Sequence, residues 1–322
     1  MTRLSVYITR AIPEEGVAIL SEAGLTVHTH RQPSGLEREE LLKEAARHDG
    51  VVCQAPDRID AEVLKAAAPR CKIFANCAVG IDNIDVATAA KLGICVTNTP
   101  DVLTETTADL AWALMLATAR RVCEGDRVVR SGQWRGWGML DYLGADIFGK
   151  TLGIIGAGRI GTAVARRAAG FDMRVLYFSR GEKKAMSDLG ARRVPMDDLL
   201  HESDFISIHV PLTDETRNLI DERALGKMKR EAILINTARG PIVDEPALVA
   251  ALNSGKLAAA GLDVYAEEPS ITPALLGLNN VVLLPHIGSA TVATRVKMAC
   301  LAAKNVVSVL QGKAPLTPVS PR

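Results

Sequence analysis

The sequence predicts an α/β fold built on parallel sheet and divided into two domains. Three observations carry that expectation. Short β-rich runs alternate with longer helical stretches along most of the chain, the pattern of strand–helix–strand crossovers. The turn Gly156-Ala157-Gly158-Arg159-Ile160-Gly161 stands between a strand-like run and a helix-forming one. The length, 322 residues, suffices for two cores at roughly 150 residues per domain.

Taken in order, the first strand is read at Leu4–Thr9, followed by a helix from Pro13 to Glu22. Short apolar runs at Gly50–Cys53, Lys72–Cys77 and Ile94–Thr97 continue the first sheet, and Pro100 punctuates the chain. The Ala- and Leu-rich stretch Thr104–Arg121 is a helix, with Thr104 or Thr106 as its N-cap. It is apolar nearly all round, which predicts packing between domains or against a partner. Gly132–Gly149 has glycines and aromatics without a period, and all three tryptophans, Trp112, Trp134 and Trp137, lie in or near this region.

Six strand-like runs then follow: Thr151–Ile155, Arg174–Phe178, Phe205–Val210, Ala232–Thr237, Ala259–Val264 and Val281–Leu284. With crossovers of these lengths they make a doubly wound sheet. The last helix, Thr291–Leu310, is expected to return to the first domain, and the Pro-rich tail after Gly312 to be loose. The domains are thus expected at residues 1–99 with 288–322, and at 100–287.

Composition narrows the function classes. The 38 basic and 37 acidic side chains leave a net charge of +1, with no electrostatic footprint for nucleic acid or an anionic membrane. No apolar run approaches the ~18 residues of a membrane span. Glu14 and Glu15 stand where a signal peptide needs its apolar region. The six cysteines form no CxxC pair and read as reduced thiols of a cytoplasmic protein. No clustered His/Cys spacing suggests a metal.

Three glycines at this spacing would occur by accident in roughly one chain of this composition in six, so the motif alone is weak. Its strand-to-helix context strengthens it: backbone N–H groups and a helix N-terminus can hold a pyrophosphate there. The ribose-reading residue belongs about 20 positions on, at the end of the next strand. That strand ends Tyr177-Phe178-Ser179-Arg180, with Lys183 and Lys184 close by. A hydroxyl and a guanidinium in place of an acid predict a 2′-phosphate and hence NADP in preference to NAD; the plainer reading is a solvated basic loop.

Three further residues share one topological address. Arg239, Glu268 and His286 each follow the carboxyl end of a predicted parallel strand, on the edge that carries the glycine turn. Singly, each is as well read as a surface ion pair, a loop carboxylate or a satisfied histidine. Together they suit reduction of a 2-oxo acid. Hydride addition develops negative charge on the carbonyl oxygen, an imidazolium can protonate it, and a carboxylate behind the ring keeps it charged and oriented. An arginine fork can grip the substrate carboxylate or polarise the carbonyl.

The segments Asn236-Thr237-Ala238-Arg239-Gly240, Gly261-Leu262-Asp263-Val264 through Glu267-Glu268-Pro269, and Pro285-His286-Ile287-Gly288 resemble the signatures of the D-isomer-specific 2-hydroxyacid dehydrogenases. Val79-Gly80-Ile81-Asp82-Asn83-Ile84-Asp85, Thr97-Asn98-Thr99-Pro100 and His209-Val210-Pro211-Leu212-Thr213 resemble the family as well, so the likeness covers nearly the whole chain. Within the family, Asp101-Val102-Leu103-Thr104, Ala108-Asp109-Leu110-Ala111 and Tyr177-Phe178-Ser179-Arg180 are most similar to glyoxylate/hydroxypyruvate reductases.

The resemblance implies two Rossmann-like domains: a doubly wound dinucleotide-binding domain and a smaller flavodoxin-like substrate domain. It implies His286 as acid/base, Glu268 as its partner, Arg239 as substrate anchor, and Val79 and Gly80 amides as a cradle for the substrate carboxylate. It implies cofactor contacts at Gly156, Ala157, Gly158, Arg159, Ile160, Gly161, Ser179, Arg180, Gly181, Val210, Pro211, Thr216, Thr237, Ala238, Asp263 and Gly288. Activity on D-3-phosphoglycerate or D-lactate, or a role as a dinucleotide-sensing corepressor, are the alternatives on the same scaffold. The apolar helix Leu110–Ala119 and the tryptophan-bearing segment predict a homodimer built on the cofactor domain.

Overall fold

A computed structural model describes residues 3–32 and 34–321 and divides the chain into two units, residues 1–103 with 289–322, and 104–288. The first unit opens with β1 (Ser5–Ile8), α1 (Glu14–Glu22), β2 (Thr26–Thr29), α2 (Arg38–Arg47), β3 (Gly50–Cys53), α3 (Ala61–Ala67), β4 (Ile73–Asn76), α4 (Val86–Lys91) and β5 (Cys95–Thr97). Its strands pair in parallel in the order β2-β1-β3-β4-β5, the flavodoxin-like arrangement. β1, β3 and β4 are buried at every residue, as a parallel sheet covered on both faces requires. Asp60 and Asp85 cap α3 and α4 by accepting first-turn N–H bonds, each contributing about 1 kcal/mol.

The second unit contains α5 (Thr104–Ala119), α6 (Val122–Arg130), β6 (Thr151–Ile155), α7 (Arg159–Arg167), β7 (Arg174–Phe178), α8 (Lys184–Ser187), β8 (Arg192–Arg193), α9 (Met196–Glu202), β9 (Phe205–Ile208), α10 (Glu222–Lys227), β10 (Ile233–Asn236), α11 (Glu245–Asn253), β11 (Ala259–Leu262), α12 (Pro273–Leu276) and β12 (Val281–Leu283). Short 3-10 turns follow α7 and precede α11. The sheet is parallel throughout, in the order β12-β11-β10-β9-β6-β7-β8. This is the doubly wound dinucleotide-binding order with one further strand at the β12 edge. Two apolar clusters, one on each face, bury it between helices.

Four readings of the sequence change here. β2, α2 and the two-residue β8 were not anticipated: Thr-Val-His-Thr is only partly buried, α2 is mostly charged, and Arg192-Arg193 has no apolar signal. The second sheet therefore has seven strands rather than six. The apolar helix α5, expected between the domains or against a partner, packs into the core of its own unit. Ala108, Ala111, Trp112, Leu114, Met115 and Ala119 are buried against α7 and the β10–β12 strands, and Trp112 Nε1 donates to Val164 O at 3.0 Å.

The Pro-rich tail is also held. The last helix, α13 (Val292–Leu310), packs on α1, β3 and β4 within the first unit. Its fully buried Asn305 donates to Thr317 Oγ1 and accepts from the Leu316 and Thr317 N–H groups. Val319 N then donates to Val96 O at 2.8 Å, and Thr317 Oγ1 to Asn98 O at 2.6 Å. An extended proline-spaced segment thus adds to the β5 edge, satisfying strand carbonyls that would otherwise face outward. No helix of the described residues is long and apolar enough to cross a membrane.

Candidate active site

Parallel pairing brings the carboxyl ends of β6, β7, β9, β10, β11 and β12 to one edge of the second sheet. Gly156–Gly161 leaves β6, Ser179–Gly181 leaves β7, and Val210, Pro211 and Thr216 follow β9. Thr237, Ala238 and Arg239 follow β10, Asp263 and Glu268 follow β11, and His286 and Gly288 follow β12. The order reverses between β6 and β9, and ligands of such sheets bind outside that switch point.

At the glycine turn, Gly156 has φ +102°, and a Cβ there would lie 2.6 Å from the backbone C and O of His209. Both facts require glycine. His209, whose ring nitrogen Nε2 lies 2.8 Å from Ser207 Oγ, is kept neutral because burial pushes its pKa down to about 3. Gly158 caps α7 without a side chain, so the first-turn N–H groups depend on an outside acceptor. Thr237 Oγ1 is buried and has no hydrogen-bond partner among the described residues. These donors and the orphaned hydroxyl fit a dinucleotide with its phosphates at α7. No group of three or more His, Cys, Asp or Glu side chains among the described residues is placed to hold a metal.

The Ser179–Gly181 loop is braced from a residue that sequence reading missed. Arg193 on β8 donates from Nε to Ser179 O at 3.1 Å and from Nη2 to Arg180 O at 3.2 Å. Ser179 Oγ donates to Gly181 O, and the Arg180 side chain is exposed. Thr216 closes the loop after β9, donating to Pro211 O at 2.6 Å and accepting from Thr213 N at 2.8 Å.

His286 and Glu268 are joined directly: His286 Nδ1 lies 2.7 Å from Glu268 Oε2, both side chains being partly exposed. Burial opposes the charge of Glu268. The hydrogen bond and charge of His286, the Tyr265 N–H and the nearby Arg239 guanidinium outweigh it, and the carboxyl sits below its usual range.

His286 itself has φ +53°, a left-handed conformation that side-chain-bearing residues adopt only where surroundings impose it. Asp263 imposes it, accepting from Ile287 N at 2.7 Å and Gly288 N at 2.8 Å. Tyr265 Oη adds a bond to Leu284 O at 2.8 Å. Burial raises the Asp263 carboxyl against the lowering effect of those N–H bonds and of His286. Arg239 sits on a turn shaped by Asn236, whose Nδ2 donates to Arg239 O at 2.9 Å and whose Oδ1 accepts from Ala238 N at 3.0 Å.

Val79 and Gly80 lie in the first unit, after β4. Their carbonyls accept from Asn98 Nδ2 and Asn76 Nδ2, each at 2.9 Å, which fixes the loop. Among the described residues their own N–H groups donate to nothing, so two amides remain for an anion.

Residues 112–288 match the model of the D-isomer specific 2-hydroxyacid dehydrogenase NAD-binding domain. The chain belongs to this family. It is an NAD(P)-dependent dehydrogenase, and its cofactor is a nicotinamide dinucleotide. Among family relatives, the glyoxylate reductase of Thermococcus kodakarensis is 52% identical, over 99% of this chain and 96% of its own. A crystal structure of a Thermus thermophilus protein superposes with a TM-score of 0.93 at 46% identity, covering 98% of this chain and 100% of that one. The NADPH-dependent glyoxylate/hydroxypyruvate reductase of Sinorhizobium meliloti, solved with NADP and malonate, gives a TM-score of 0.87 at 34% identity, over 99% and 97% of the two chains.

Proposed function

We propose that the protein reduces glyoxylate, and hydroxypyruvate as a second substrate, to the corresponding 2-hydroxy acid, with His286 as proton donor. The His286–Glu268 pair at 2.7 Å, on the sheet edge that carries Arg239 and the glycine turn, carries this reading; the names of full-length relatives at 52% and 34% identity support the substrate class. When bound, the reduced nicotinamide supplies the hydride that adds to the carbonyl carbon. His286 gives its proton to the carbonyl oxygen as charge develops there. Glu268 holds the ring in place, and Arg239 grips the 2-oxo acid through its fork of donors. Val79 and Gly80 hold the substrate carboxylate through backbone N–H groups.

Steady-state turnover of glyoxylate, hydroxypyruvate, pyruvate and 3-phosphohydroxypyruvate with NADPH and NADH tests the assignment. The first two are expected to lead, and background rates on all four would overturn it. Glu268→Gln supplies a sharper check. Glu268 Oε2 holds His286 Nδ1 at 2.7 Å, and an amide in its place loses that charge-assisted contact and the orientation of the ring. Glu268→Gln is therefore expected to lower kcat by on the order of 100-fold while the fold persists. A kcat that stays at the wild-type value would remove Glu268 from this role.

NADPH is the preferred cofactor in this reading, because Ser179 and Arg180 stand where an acid would select NAD. Asp172 precedes β7, at the opposite end of the strand, and does not replace that acid. Arg180→Ala is expected to raise KM for NADPH by on the order of tenfold, the low end for an exposed charge-assisted contact, with KM for NADH little changed. Equal shifts for both cofactors would contradict the assignment.

The protein is also proposed to be a cytoplasmic homodimer. All six cysteines are free thiols, as a reducing compartment maintains. With α5 buried in its own unit, the interface falls to the segment after it, where Val129, Trp134, Trp137, Met139, Leu140 and Leu143 are exposed, Trp137 by 80% and Leu140 by 81%. Such a concentration of exposed apolar side chains marks an association surface. Light scattering at micromolar concentration is expected to give twice the chain mass, and a monomer mass would end the idea.

A further inference from the structure

We propose that Glu245 is a positioning residue for the reduction: its buried carboxylate ties the loop carrying Glu268 to the segment carrying Arg239. The proposal rests on the roles given above to His286, Glu268 and Arg239.

Glu245 opens α11, six positions after Arg239, and is only 5% exposed. Its Oε1 accepts from Ala266 N at 2.5 Å and its Oε2 from Thr272 Oγ1 at 2.5 Å. Ala266 precedes Glu268 and Thr272 follows it, so the two oxygens grip the loop on both sides of the catalytic carboxylate. The segments also touch through their backbones: a Cβ on Gly240 would lie 1.8 Å from the carbonyl carbon of Tyr265. Tyr265 N in turn donates to Glu268 Oε1 at 3.1 Å. A continuous path therefore runs from Glu245 through Ala266 and Tyr265 to Glu268, and from Glu268 Oε2 to His286 Nδ1.

Packing alone does not explain a carboxylate here. Burying one is costly, and among the described residues no basic side chain pairs with it. Its charge is met instead by the two hydrogen bonds and the N-terminus of α11. An apolar side chain could fill the space but would release both the Ala266 N–H and the Thr272 hydroxyl, and with them the loop. Holding that loop in register is what the carboxylate adds, and misplacing a catalytic group by about 1 Å can cost on the order of 100-fold in rate.

The test is a double-mutant cycle on the full chain, with kcat and KM for glyoxylate and NADPH measured together with thermal unfolding. Glu245→Ala is expected to lower kcat about 10- to 100-fold, with KM for NADPH little changed. In the Glu268→Gln background the same change is expected to cost less than about threefold, because residues acting through one another are not additive. Glu245→Gln is expected to restore kcat to within about fivefold of wild type, since its amide oxygen still accepts from Ala266 and its NH₂ can donate to the Thr272 hydroxyl. If Glu245→Ala does not fold, Thr272→Val, which removes one of the two bonds, is expected to show a smaller kcat loss with the same non-additivity. Equal losses in both backgrounds, or a Glu245→Gln variant as slow as Glu245→Ala, would overturn the proposal. A wild-type kcat in Glu268→Gln alone would instead overturn the roles on which it rests.

Discussion

Replacing His286 with alanine is expected to lower kcat for glyoxylate reduction by on the order of 10²- to 10⁴-fold, the usual contribution of a positioned general acid. The fold and the dinucleotide affinity are expected to survive. The bonds that shape this loop run from Asp263 to the backbone N–H groups of Ile287 and Gly288, and from Tyr265 to the Leu284 carbonyl, and none passes through the imidazole. The side chain is itself 38% exposed, so its removal opens no core cavity. Steady-state kinetics paired with a fluorescence titration of NADPH separates the two effects. A variant with kcat within tenfold of wild type would mean that the proton comes from elsewhere.

Gly240→Ala is expected to damage stability and activity together. The added Cβ would fall 1.8 Å from the backbone carbon of Tyr265, 1.9 Å from its oxygen and 2.5 Å from Ala266 N. These are main-chain atoms, so no rotamer change relieves the clash and two loops must separate. Overpacking of this kind costs about 1–3 kcal/mol, or a Tm lower by roughly 2–12 °C for a domain of this size. The displaced neighbours are Arg239 on one side and the Glu268 loop on the other, so kcat/KM is expected to fall by about 100-fold as well. A melting curve and a glyoxylate assay read both effects. Wild-type values in each would show that the two loops do not need this contact.

Much of the second sheet was legible because buried parallel strands announce themselves. Thr151–Ile155, Phe205–Ile208 and Ile233–Asn236 are buried at every residue, so their sequences read as continuous apolar runs. Strands at an edge or with one wet face send no such signal, which is why Thr26–Thr29 and Arg192–Arg193 went unread. The apolar helix α5 was ambiguous for a related reason. A helix buried in its own domain and one buried by a partner have the same composition, and only the neighbouring β10–β12 strands decide between them.

The candidate site divides in the same way. Arg239, Glu268 and His286 could be named because each follows a strand, and parallel pairing sends every strand's carboxyl end to one edge. Thus the sequence by itself determined the fold class, the glycine turn and the chemical types gathered at that edge, all of which follow from local period and connection order. Only the tertiary structure decided how those groups are aimed. The left-handed backbone at His286, the grip of Asp263 on Ile287 and Gly288, the brace of Arg193 under Ser179 and Arg180, and the tie from Glu245 to Ala266 and Thr272 all join residues far apart in the chain. No local periodicity encodes such bonds, because a side-chain acceptor finds its backbone donor only after the sheet has set the loops side by side.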